Sequence, residues 1–242
     1  MTHPKVLLSR RFARALAVYD REAVIQAEMA EALLQALSPY CFERKYVLEI
    51  GAGTGLFTRR LLARKRPAFL ITLDLTPACA KYLRPLPFVV ADGENPPFKP
   101  ESFDFILANA VFQWFLNPQK AFVTLAGLLK PGGFLAFTTF GPATMKEFGR
   151  KERPPGLNAL NEIRAMKPAF MKEIKALSWQ RVLYFPSPRE ILKHVRHTGA
   201  MGFLKPHWSP KEIKRWEMAY ESLKTPAGFP LTFEPVLIVW QR

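Results

Sequence analysis

The chain has 242 residues, enough for one sizeable domain with a buried core, and its 49% hydrophobic and 23% charged residues exclude a disordered chain. No run of about 18 uncharged apolar residues occurs, so a membrane-spanning helix is excluded, and the basic N-terminus lacks the apolar stretch of a secretory signal. The formal charge is +15, from 35 Lys and Arg against 20 Asp and Glu, and residues 141–242 alone hold 18 basic and 9 acidic groups. Such a field attracts polyanions, whether nucleic acid, anionic lipid or an acidic protein; a solvated, thermophile-like surface accounts for it equally well. Cys41 and Cys79 form no Cys-x-x-Cys pair, which points to two small buried hydrophobes in a reducing, cytoplasmic setting.

In chain order, residues 21–37 carry Val24, Ile25, Met29, Leu33 and Leu37 at helical spacing and stop at Ser38-Pro39. Tyr46–Ile50 reads as a strand running into Gly51-Ala52-Gly53-Thr54-Gly55, followed by a helix from Leu56 to Lys65. Phe69–Leu73 is a strand, Thr76-Pro77 opens a helix, and Pro87–Ala91 and Phe103–Ala108 are further strands. Asn117-Pro118 caps a helix to Leu129; a turn at Lys130–Gly133 then leads into the strand Phe134–Thr139. Strands alternating with helices at this spacing predict a parallel sheet covered on both faces.

The rhythm breaks after Phe140. Residues 141–156 read as a linker or lid, and residues 157–180 as helical with an interruption at Pro168. Val182–Phe185 reads as a strand, Ser187-Pro188-Arg189-Glu190 and Ser209-Pro210-Lys211-Glu212 as two capping boxes, and Val236–Trp240 as a last strand. One domain is expected, divided into a helical cover (1–45), a core (46–140), a helical lid or insertion (141–181) and a sheet-completing part (182–242).

The Gly-rich turn marks a place where backbone approaches a ligand. Its Gly-x-Gly-x-Gly spacing, Gly51, Gly53 and Gly55, differs from the dinucleotide fingerprint. Glu49, two residues earlier, would repel a pyrophosphate but suits an ammonium or sulfonium group. Aspartate is scarce, only Asp20, Asp74, Asp92 and Asp104, and two of these end strands. Asp74 falls roughly 20 residues past the glycines, where a carboxylate takes both ribose hydroxyls. Leu75 is positioned to cover an adenine face, and Asp92-Gly93 to accept from the adenine amino group.

In combination these residues resemble the class I S-adenosylmethionine-dependent methyltransferases over residues 46–140. The resemblance implies an α/β, Rossmann-like fold with a seven-stranded sheet of order 3-2-1-4-5-7-6 and an antiparallel last strand, a place that Val236–Trp240 fits. It also sets Asn109 beside the transferable methyl group. Phe12-x-Arg14-x4-Tyr19, Asn109-Ala-Val-Phe-Gln113-Trp114 and Phe229–Glu234 together resemble the malonyl-acyl-carrier-protein O-methyltransferases of biotin synthesis, whose partner is a small acidic acyl carrier protein. That family implies Tyr19 closing over the methionine end of the cofactor with Arg14 near its carboxylate, and Gln113 and Trp114 walling the methyl-transfer cleft. A substrate carboxylate asks for a cation, and Arg196 is the leading candidate.

Other readings stay open. The Asn-x-x-x-Gln-Trp segment is shared with trans-aconitate methyltransferase, and non-catalytic assembly proteins of this fold look similar around Tyr19 and Gln113. RNA methylation would explain the charge, but residues 109–112 lack the Asn/Asp-Pro-Pro-aromatic segment of amine methylation. His194, His197 and His207 have no acidic or cysteine companion in sequence, so no metal is expected.

Overall fold

A computed structural model describes residues 4–149, 152–200 and 208–242. The chain begins with two helices, α1 (Pro4–Glu22) and α2 (Val24–Ala36), separated at Ala23. Strand and helix then alternate: β1 (Tyr46–Ile50), α3 (Leu56–Arg64), β2 (Phe69–Asp74), a short α4 (Ala80–Leu83), β3 (Phe88–Val90), β4 (Phe103–Asn109), α5 (Pro118–Leu128) and β5 (Leu129–Phe140). The second half supplies α6 (Leu160–Ala165), β6 (Lys172–Ser178), β7 (Arg181–Phe185), α7 (Pro188–His197), α8 (Pro210–Tyr220), β8 (Phe229–Phe233) and β9 (Pro235–Gln241).

Seven strands form one sheet in the order β3-β2-β1-β4-β5-β9-β6, and only β9 runs against its neighbours. Counted within the sheet, this is the expected 3-2-1-4-5-7-6 topology. β1 is buried from Val47 to Ile50 because it lies at the centre with both faces covered. On one face Leu48, Ile50, Ile106, Phe137 and Trp240 pack with Phe112 and Phe122; on the other Val47, Phe105, Leu107 and Val239 meet α2 and α3. Trp240 is fully buried, with Phe122 and Phe137 edge-on at 5.0 and 5.5 Å. β7 and β8 form a separate two-stranded sheet beneath α7 and α8.

The helical reading of residues 157–180 is corrected. Only α6 is helical there, and Lys172–Ser178 is instead the edge strand that pairs with β9. Lys172, Glu173 and Lys175 mimic an exposed helix, yet charge on an edge strand also blocks unwanted pairing, and the backbone demand of β9 decides. The expected turn at Lys130–Gly133 is absorbed into the irregular start of β5, where the register with β4 shifts. Of the two capping boxes only Ser209–Glu212 is complete; Ser187 accepts from the Glu190 amide, whose own side chain pairs with Lys193. Cys79 is buried as expected, whereas Cys41 is exposed.

Register fixes where function collects. Ile50 lies opposite Leu73 and Ala108, and Asp74 opposite Val90, so the carboxyl ends of β1 to β4 open onto one edge. A parallel sheet binds ligands outside that edge.

Candidate functional site

A cleft occupies this edge, and most of the predicted residues line it: Glu49, Gly51, Gly53, Asp74, Leu75, Asp92, Gly93, Asn109, Gln113, Trp114 and Tyr19. Gly51 follows β1 with φ +65°, and an added Cβ would meet Val111 Cγ2 at 2.4 Å; both the turn and the space demand glycine. At Gly93 a Cβ would meet Ile50 Cγ2 at 2.6 Å. Gly55 does not line the cleft. It stands at the N-cap of α3 with φ 80° and turns the chain into that helix.

Glu49 is 1% exposed, and its Oε2 has no hydrogen-bond partner among the described residues. Burial, reinforced by the charge of Asp74, pushes its carboxyl up to about 8, against the opposing pull of Thr58 and Arg59. An unpaired buried carboxylate oxygen beside a glycine turn is suited to a cationic ligand group. Asp74 is also buried. It accepts from the Gly53 amide at 2.9 Å and the Thr76 amide at 2.7 Å, which fixes its orientation while leaving lone pairs for a diol. Desolvation raises its pKa in spite of those two amides. Tyr19 reaches over the same end from α1; burial and the charges of Asp20 and Asp74 hold its hydroxyl protonated well above the usual range.

The far wall is braced internally. Asn109 donates to the Gln26 carbonyl at 3.0 Å and accepts from Thr138 Oγ1 at 2.7 Å. Gln113 is buried, with Nε2 donating to the Ala110 carbonyl at 2.6 Å and Oε1 accepting from Thr139 Oγ1 at 3.0 Å. With both ends engaged, Gln113 acts as a strut of the wall. Ala110 holds φ +58° between these two residues, a left-handed conformation that non-glycine residues adopt rarely and mostly where function demands it.

Arg14 and Arg196 do not join the site. Both are exposed, on the outer faces of α1 and α7, and neither lines the cleft. The packing of α1 decides this: Lys5, Leu8, Ser9, Phe12 and Tyr19 face the cleft at helical spacing, which turns Arg14 outward. Likewise α7 buries Ile191, His194 and Val195, leaving Arg196 to solvent. Sequence reasoning missed Lys5, Gln26, Phe140 and Thr198–Ala200, all of which line the cleft. None carries a local signal, since each arrives from a distant element.

His194 and His197 tie α7 to α1 instead of forming a metal site. Their Nδ1 atoms lie 3.5 and 3.6 Å from the Glu22 carboxylate, and burial holds His194 below its ordinary pKa against the pull of Glu22. Among the described residues no cluster of His, Cys, Asp or Glu is arranged to hold a metal, and His207 lies outside them.

Comparison with known proteins agrees with this architecture. A methyltransferase-domain family model matches residues 48–137. Nearly the whole chain aligns with the malonyl-[acyl-carrier protein] O-methyltransferase of Porphyromonas gingivalis, at 34% identity, covering 95% of this chain and 93% of that one. The chain belongs to the malonyl-[acyl-carrier protein] O-methyltransferase family. The biotin biosynthesis bifunctional protein BioHC of Cellvibrio japonicus is a further relative, 30% identical over 97% of this chain and 50% of its own. Among solved structures, the N-methyltransferase NodS of Bradyrhizobium japonicum, in complex with S-adenosyl-L-homocysteine, superposes with a TM-score of 0.59. At 16% identity over 97% of this chain and 98% of that one, NodS shares the fold.

Proposed function

We propose that the protein transfers the methyl group of S-adenosylmethionine to the free carboxylate of a malonyl thioester on acyl carrier protein, an early step of biotin synthesis. The near full-length kinship with malonyl-[acyl-carrier protein] O-methyltransferases carries this reading.

The residues present fit the donor. Glu49 Oε2 is the acceptor that an α-ammonium group needs, the glycine turn admits backbone-close contact, and Asp74 offers its carboxylate to the ribose diol. Leu75 and Asp92 line the cleft, where they would cover an adenine face and accept from its amino group. When bound, the donor supplies an electrophilic methyl on a sulfonium.

The rest is alignment by this chain. A malonyl carboxylate is ionised at neutral pH, so no general base is required, and no histidine lines the cleft among the described residues. Asn109 and Gln113 brace one wall beside Trp114, and Tyr19 and Phe12 roof it, so that these residues would orient an acceptor oxygen toward the methyl carbon and limit the access of water. Orientation of this kind can supply about 7–11 kcal/mol of the barrier. The oxygen–methyl bond forms as the methyl–sulfur bond breaks, giving a methyl ester and neutral S-adenosylhomocysteine.

An acidic carrier protein explains the basic surface economically. Arg10, Arg11 and Arg14 on α1 and Arg196 on α7 enter no ion pair with a described residue, and both helices flank the cleft. A cytoplasmic setting, beside the carrier, is part of this reading; the lack of a Cys-x-x-Cys pair supports it.

The deciding experiment supplies labelled donor together with malonyl, succinyl and aconityl acceptors, each free and carrier-linked. Methyl transfer is expected to favour malonyl on the carrier. Efficient aconitate esterification without malonyl transfer would replace the substrate, and no transfer to any carboxylate would remove the reading.

A further inference from the structure

α1 is fastened to the sheet at both ends. Near its C-terminus Asp20 accepts from Thr54 Oγ1 and from Arg59 Nη2, each at 2.5 Å. Near its N-terminus Lys5 Nζ donates to Asp92 Oδ1 at 2.7 Å and Oδ2 at 2.6 Å, and also to Glu94 Oε2. The Lys5 side chain is only 9% exposed and that of Glu94 13%, so this is a shielded ammonium between two carboxylates. Between the two fastenings Leu8, Phe12 and Tyr19 roof the cleft.

Glu94 does more than hold Lys5. Its Oε2 accepts from the Leu116 amide at 3.0 Å and its Oε1 from the Asn117 amide at 2.6 Å. Those amides lie two and three residues past the 3-10 turn Phe112–Trp114, which carries Gln113 and Trp114 of the cleft wall. The same ammonium lies 5.7 Å from the centroid of the Phe115 ring. One cation therefore touches the roof helix, the carboxylate at the adenine end and the loop behind Trp114.

We propose that Lys5 is a positioning residue that shuts the adenine end of the cleft and couples cofactor occupancy to the placement of the acceptor wall. The inference rests on the reading that this cleft takes S-adenosylmethionine. Asp92 must present an oxygen to a neutral adenine amino group, and Lys5 both fixes that carboxylate and cancels part of the paired negative charge around it. Without the ammonium, the shielded Glu94 carboxylate and the partly exposed Asp92, 40% exposed, repel one another with no cation between them. Glu94 then loosens its grip on Leu116 and Asn117, and the disturbance reaches Trp114. The adenine end and the methyl-transfer end are in this way set by a single side chain, at the opposite end of α1 from Tyr19.

The test measures S-adenosylhomocysteine binding to the full chain by stopped-flow tryptophan emission, with the Trp114 contribution assigned through Trp114→Phe. Lys5→Ala is expected to speed dissociation by about tenfold and to diminish the Trp114 response, with Lys5→Arg recovering most of both. Glu94→Gln should behave like Lys5→Ala, and the double variant should be no faster than either single one. A folded Lys5→Ala protein with a dissociation rate within about twofold of wild type, or effects that simply add in the double variant, overturns the coupling. If Lys5→Ala does not fold, Lys5→Met, which keeps the side-chain volume without the charge, and Glu94→Gln carry the same comparison. Absence of binding in the wild-type protein is a separate result that removes the cofactor reading, and this inference with it.

Discussion

Residues 46–140 and residues 141–242 contribute to one cleft very unequally and by different physical means. In the first region the decisive groups sit at or just beyond strand ends, where local backbone requirements fix them: glycine at φ +65° for Gly51, carboxylates held by neighbouring amides for Asp74. Among the described residues of the second region, only Thr198–Ala200 at the end of α7 line the cleft, while the edge strand β6 and the two-stranded sheet complete the scaffold, with Lys172, Lys175 and Arg196 exposed. The cofactor side is thus specified residue by residue, whereas the other side is specified by how whole elements pack. Substitutions should therefore be sharply damaging in the first region and graded in the second.

The largest effect is expected at Gly51→Ala, which forces a methyl into Val111 and a left-handed backbone on alanine. Calorimetry should show S-adenosylhomocysteine affinity lowered by about a hundredfold or more, in a protein whose circular dichroism is unchanged. Asp74→Ala comes next. Loss of two hydrogen bonds to a charged acceptor should weaken binding by about 30- to 100-fold, and unchanged affinity would place the ribose elsewhere.

Glu49 sharpens the contrast through pH. Its folded-state value of about 8 lies above the ordinary 4.5, so the ligand-free folded protein retains a proton that the unfolded chain releases. The sign follows: this contribution to stability is complete below about pH 4.5 and is lost as pH rises through about 8. Thermal unfolding of the ligand-free protein should show that decline, and Glu49→Gln should flatten it. Binding of the cationic donor should release a proton near neutral pH, detectable as a buffer-dependent binding enthalpy.

Smaller effects belong to the outer surface. If its arginines steer an acidic carrier, kcat/KM for the carrier-bound acceptor should fall by about tenfold between low and physiological salt, while a small malonyl thioester loses far less. Equal salt dependence would remove the carrier from this face. Smallest of all, Arg196→Ala should leave turnover of the small thioester within about twofold of wild type, because its side chain is outside the cleft. A large loss there would return Arg196 to the substrate carboxylate, the role that the sequence suggested for it.

Legibility followed the same division. The strands around Gly51, Asp74 and Asn109 were readable because buried parallel strands are continuous apolar runs punctuated by turn residues. β6 was misread because an edge strand with Lys172, Glu173 and Lys175 imitates a solvated helix, and only its partner β9, far along the chain, settles the matter. Arg14 and Arg196 were placed on the right elements, but which way a helix turns its faces depends on tertiary packing that spacing alone does not reveal. Lys5 had no signal at all: its partners are 87 and 89 residues away.

The insertion of β9 between β5 and β6 also has a consequence for synthesis. The strand that fills the gap leaves the ribosome about 100 residues after β5 is finished, later than every other strand among the described residues. At about 5–20 residues per second, the apolar flank of β5 stays open for roughly 5–20 s while β6 has no neighbour to join. Trp240, at the heart of one face, arrives only at the close of that interval. The nascent chain therefore carries a vulnerable seam from the completion of β5 until β9 is made, and the lysines and glutamate of β6 keep that waiting strand from being recruited by a stranger.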